Sequence, residues 1–229
     1  AVKYQLWESR MSVSIYYCCV LALFALVAVL SPNMGNVSGG NIEWITAIFL
    51  FIAGIATFSS SFKMYLQNGL SRSLLSKSVF LTFLLGSLIM LAGDALVQAI
   101  FMMTPINFSS SIDLAYPSFG TVSRWLLHYG LLFFTSCLGY FIGVFFYRLN
   151  KLLRVLFSVL LPILSINLMA NFGMAYMAEN FKHSKVTLAL EQFSTYISQT
   201  PIHLGVFLLF LGAIFAALSH LLTRKAYLK

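Results

Sequence analysis

Residues 62–103 read FKMYLQNGLSRSLLSKSVFLTFLLGSLIMLAGDALVQAIFMM, a short basic and polar passage followed by a long apolar run. The passage predicts a helix, a turn at Asn68-Gly69 and a new helix with Ser71 as its cap, because Gly ends helices and Ser accepts from the next helix's free N–H groups. The apolar run that follows holds one charged residue, Asp94, and is long enough to cross a bilayer core of about 30 Å, which takes roughly 20 residues.

The same ruler applied outward predicts six spans, near 12–31, 43–62, 78–103, 125–147, 155–175 and 203–223. Composition agrees: 60% of the 229 residues are hydrophobic and 9% charged, and the mean hydropathy is +0.89, far from a soluble domain that is about one quarter charged. The expected fold is all-α, a single transmembrane domain over residues 1–229.

Charge sets the expected orientation. Eleven of the fourteen Lys and Arg residues fall at every second boundary between apolar runs: Lys3 and Arg10; Lys63, Arg72 and Lys77; Arg148, Lys151 and Arg154; Arg224, Lys225 and Lys229. Short cytoplasmic loops are rich in Lys and Arg, so both termini are expected in the cytoplasm. The net charge of +8 is spread over these loops, which suits anionic lipid and gives no basic patch for nucleic acid. Cys18, Cys19 and Cys137 lie in apolar runs without metal-ligand spacing and read as small core residues.

The connections differ in character. Tyr4, Trp7 and Met11 recur at helical spacing ahead of the first span, which predicts a short interfacial helix. Residues 32–42 and 105–123 carry no basic residue and are rich in Pro, Gly, Ser and Asn, as solvent-exposed outer loops are. Between spans five and six, Val186, Leu190, Phe193 and Ile197 repeat at i, i+4, i+7 and i+11 opposite Glu191, Gln192 and Ser198, predicting an amphipathic outer segment.

Few residues suggest chemistry. Asp94 is the only acid well inside a span, with Gln98 one turn on. A buried carboxyl there serves transport or gating, or else sits neutral, capped by Gln98 and a neighbouring span. Asn167 and Asn171 share a face of span five and either line a cavity or bond between helices. Gly139 and Gly143 form a GxxxG close-packing pair. The four histidines are scattered, and HExxH, GxSxG and GxxxxGK[ST] are all absent, which argues against an enzyme and against ATP hydrolysis by this chain itself.

Six spans with both ends inside, an interfacial helix, the helical loop after span two and the amphipathic outer segment together resemble the membrane subunit of an ABC-2 type exporter. The run Phe62-Lys63-Met64-Tyr65-Leu66-Gln67-Asn68-Gly69-Leu70-Ser71-Arg72 is similar to the equivalent loop of small bacterial permeases of this type. The resemblance implies that this loop docks on a separate ATPase. Tyr65, Leu66 and Leu70 would supply apolar contacts, and Lys63, Gln67 and Arg72 polar ones. It implies no cofactor in this chain, with ATP and Mg held by two copies of the partner ATPase, and a second permease completing the pathway in the plasma membrane of a bacterium.

By the same resemblance Phe49, Phe51 and Phe58 of span two, with Asn167, Asn171 and Met174 of span five, line the pathway, and residues 176–202 form its outer gate. A lining of Phe and Met suits a hydrophobic or amphipathic cargo: a lipid, a drug or an antimicrobial peptide. Two other readings stand beside it. One is the substrate-capture subunit of a vitamin uptake system, for which Ala22, Ala25 and Ala28 offer a docking stripe; the other is an immunity or assembly protein that needs no ATPase.

Overall fold

The computed structural model describes residues 2–30, 42–69, 71–102, 110–158, 160, 192, 195–196 and 199–224. Its elements are α1 (Val2–Leu30), α2 (Ile42–Gln67), α3 (Arg72–Met102), α4 (Ser111–Ala115), α5 (Thr121–Arg148) and α6 (Pro201–Arg224). Residues 151–158 are also helical, and no strand occurs among the described residues. Four helices are long and apolar enough to cross a membrane, through Val2–Leu26, Ser73–Ile100, Thr121–Arg148 and Pro201–Thr223; α2 has a shorter apolar stretch, Ile42–Phe58. The described residues are those of a helical membrane protein.

Large apolar side chains such as Leu23, Leu88, Leu96, Val206 and Phe210 face outward, whereas Ser87, Asp94, Ser136 and Ser219 are buried. A bilayer dictates this inversion, because lipid accepts apolar surface and polar groups must find partners inside the bundle.

Helix α5 is the hub, packed on α2, α3 and α6. Its glycines set the approach on two sides. A Cβ at Gly139 would run into the Phe51 carbonyl of α2, and one at Gly130 would come within 2.6 Å of the Gly205 carbonyl of α6. The GxxxG pair therefore seats α2, and the α6 contact uses a second small-residue surface. Small residues let backbones approach closely where lipid gives no hydrophobic drive for association.

The register of contacts fixes helix directions. Phe51 meets Gly139 and Ile55 meets Gly143, while Gly205 meets Gly130 and Gly212 meets Phe133, so α2, α5 and α6 run parallel. Thr82 bonds Gln5 at 2.7 Å and Tyr17 bonds Met90 at 2.8 Å, so α1 and α3 run together. Asp94 beside His128 and Phe83 beside Tyr140 make α3 antiparallel to α5. The end of α2, the start of α3 and the ends of α5 and α6 thus share one pole of the bundle, and these segments carry Lys63, Arg72, Lys77, Arg148 and Arg224.

The turn at that pole follows the sequence expectation. Helix α2 stops at Gln67, Gly69 takes φ +78°, a left-handed backbone that side chains resist, and the Leu74 N–H donates to Ser71 Oγ at 3.3 Å.

Three expectations are corrected. No separate interfacial helix precedes α1, which is one unbroken helix from Val2 to Leu30; neither Gly nor Pro occurs in that stretch, so nothing in the backbone ends a helix at Met11. Arg10 accordingly lies within α1, more than a turn beyond Gln5, with its guanidinium 3.4 Å from the centre of the Trp7 ring. The outer connection 105–123 contains α4, whose cap Ser110 accepts from the Asp113 N–H at 3.3 Å. Cys18 and Cys19 are exposed and only Cys137 is buried, because α1 packs through the stripe of Tyr16, Val20 and Phe24.

Candidate functional site

A polar cluster joins four helices within the bundle. On α3, Met90, Asp94 and Gln98 recur at i and i+4 and share one stripe. On α2, Glu43 and Thr46 lie one turn apart, and on α5 Arg124 and His128 do the same. Asp94 is fully buried, at 0% exposure.

Thr46 Oγ1 donates to Asp94 Oδ1 at 2.9 Å, which leaves the threonine oxygen to accept from the Tyr16 hydroxyl at 2.6 Å. The single hydroxyl hydrogen of Tyr17 is shared between Met90 O at 2.8 Å and Asp94 Oδ1 at 3.1 Å. Tyr17 reaches this point because Gly93 has no side chain; a Cβ there would strike the phenol. On the other oxygen, His128 Nε2 stands 3.1 Å from Asp94 Oδ2, within ion-pair range but off the direction of a hydrogen bond.

Gln98 is not a partner of Asp94; it lines a cavity of ≈330 Å³ beside the cluster. His128 lines the same cavity while touching Asp94, so it stands between the buried carboxylate and open space. Glu43 also lines it, at 1% exposure. Ser110 donates to Glu43 Oε1, tying the cap of α4 to the first turn of α2. Across the cavity Arg124 and Asp113 pair at 2.6 Å. The arrangement sets two acidic side chains, a histidine and an arginine around one cavity of the bundle. No group of three or more His, Cys, Asp or Glu side chains among the described residues could hold a metal ion.

The other expected site residues are dispersed. Phe49 stacks on Tyr16 with centroids 4.4 Å apart. Phe51 packs its backbone on Gly139. Phe58 is buried against Tyr140 and Tyr147, with ring centroids at 5.8 and 5.1 Å, within the chain's own core. Lys63, Tyr65, Leu66 and Gln67 lie on the last turns of α2 and Arg72 opens α3. Leu70, Asn167, Asn171, Met174, Val186, Leu190, Phe193 and Ile197 lie outside the described residues.

Tyr16, Tyr17, Thr46, Glu43 and His128 are additional members that the sequence reading does not assign. Their signal is the i, i+3 and i, i+4 spacing of polar residues within apolar helices, legible only once the register between helices is known. No protein-family model, no curated protein and no solved structure matches the chain.

Proposed function

We propose that the chain is the membrane subunit of an ATP-driven exporter of the ABC-2 type, forming half of a pathway for a hydrophobic or amphipathic cargo. In this reading residues 155–175 add a span to the helices described above, both termini lie on the cytoplasmic side of a bacterial plasma membrane, and residues 176–202 gate the outer end.

The observation that carries the reading is the hairpin at the basic pole. Helix α2 continues to Gln67, beyond the apolar stretch that ends at Phe58, and α3 begins at Arg72 after a turn capped by Ser71. Two membrane helices joined by so short a turn form a stiff element, so a push on the turn displaces both helices. A separate ATPase docking on Lys63, Tyr65, Leu66, Gln67, Leu70 and Arg72 would supply that push.

The test is to reconstitute the chain with the ATPase that co-purifies with it. A Tyr65→Ala, Arg72→Ala double variant should separate hydrolysis from transport, and wild-type coupling in that variant would overturn the assignment. The cavity beside His128 favours a second reading, a ligand-capturing membrane subunit of an uptake system. Tight binding of a vitamin by the isolated chain, with no ATPase partner, would select it.

A further inference from the structure

Of the chain's six Asp and Glu residues, Glu43 and Asp113 line one cavity and Asp94 lies behind its His128 wall, in a protein whose net charge is +8. Two have cationic or ionisable neighbours: Arg124 pairs with Asp113 and His128 faces Asp94. Glu43 has neither among the described residues. Its Oε1 accepts from Ser110, whereas its Oε2 is buried without a hydrogen-bond partner, and the residue lines the cavity.

A bare carboxylate oxygen in a buried setting is costly unless a charge or donor answers it. The first turn of α2 supplies part of an answer, since Glu43 lies at a helix N-terminus, but that effect is small. A larger one would come from a cation in the cavity. The volume of ≈330 Å³ exceeds what a bare ion or single water fills and falls in the range of small-molecule pockets. Its apolar wall, with Leu91, Ala95, Ile112 and the indole of Trp125, suits a carbon chain, and an indole also attracts organic cations.

We propose that this cavity binds the ammonium group of a small or amphipathic amine, with Glu43 Oε2 as its counter-ion and Trp125 beside it. Such a site needs neither transport nor an ATPase, so it stands apart from the exporter reading.

The full chain, purified in detergent with Trp7→Phe and Trp44→Phe, keeps Trp125 as the one remaining tryptophan of three. Titrated with butylammonium chloride, its emission should change saturably. 1-Butanol, the same shape without the charge, and sodium chloride at equal ionic strength should give no saturable change. Glu43→Gln, which keeps an acceptor for Ser110, should weaken butylammonium binding at least about tenfold.

Equal responses to butylammonium and butanol would overturn the proposal, pointing to a protonated Glu43 or a merely apolar pocket. A matching response to sodium would overturn it in favour of an inorganic cation. No saturable response to butylammonium, or undiminished binding in a folded Glu43→Gln variant, would also overturn it. If Glu43→Gln does not fold, the comparison of butylammonium with butanol and sodium on the unaltered cavity still decides.

Discussion

His128 Nε2 lies 3.1 Å from Asp94 Oδ2 and so ties α5, the hub of the bundle, to the one acid buried within α3. The pairing gives the carboxylate a potential counter-charge on one oxygen while Thr46 and Tyr17 serve the other.

Asp94→Ala removes an acceptor that hydroxyls from α1 and α2 both use, and strands His128. Leaving buried donors without their acceptor costs about 1–3 kcal/mol each. Asp94→Asn keeps a carbonyl oxygen for Thr46 and Tyr17 and should cost only about 1 kcal/mol. Thermal unfolding of the purified protein should rank wild type above Asp94→Asn and Asp94→Ala lowest. Equal melting of Asp94→Ala and wild type would remove Asp94 from the bundle's stability.

How much of this was legible before the structure depends on the range of the interaction. The turn at Asn68-Gly69 and the cap at Ser71 are local chemistry, and the apolar runs mark the long helices directly. Gly139 and Gly143 announce a close contact without naming α2 as the partner, which only the approach to Phe51 reveals. Spacing misleads at α1, where Tyr4, Trp7 and Met11 suggest a separate interfacial helix that the continuous backbone from Val2 to Leu30 does not have. Helix α4 carries its own signal, Ser110 three residues before Asp113, diluted by the turn-rich composition around it. His128 reads as one of four scattered histidines because its meeting with Asp94 depends on the register of two separate helices.

Gly139→Ala should be far worse than Gly143→Ala. At Gly139 the new methyl meets the Phe51 backbone, which cannot swing aside, whereas at Gly143 the nearest atom, the Ile55 carbonyl oxygen, is 3.1 Å away. Overpacking of the first kind costs about 1–3 kcal/mol. Gly86, with nothing within 4 Å of an added Cβ, is the control: Gly86→Ala should be neutral or should stabilise by up to about 1 kcal/mol. Melting temperatures of the three variants check the order, and indistinguishable values would refute close α2–α5 packing.

Ser110→Ala should loosen the cavity's rim. It removes the cap of α4, worth about 1 kcal/mol, and leaves both Glu43 oxygens without a hydrogen-bond partner among the described residues. Amide exchange of residues 111–116 should accelerate while that of the α5 core around Leu132 stays unchanged. Exchange rates equal to wild type would mean that Ser110 does not hold α4.

Gly93→Ala tests whether the space left by one missing side chain is what admits Tyr17 to the cluster. The methyl would strike the Tyr17 phenol, displacing the hydroxyl from Met90 O and Asp94 Oδ1, so the variant should lose about 1–3 kcal/mol from overpacking alone. Tyr17→Leu removes the ring and its hydroxyl together, and should itself destabilise the bundle. With no phenol to strike, Gly93→Ala added to Tyr17→Leu should cost close to nothing. The two substitutions are therefore expected to be strongly non-additive, as residues in contact are. Measured as a double-mutant cycle by denaturant unfolding in mixed micelles, a cost for Gly93→Ala that is the same in both backgrounds would show that Tyr17 does not occupy the space beside Gly93.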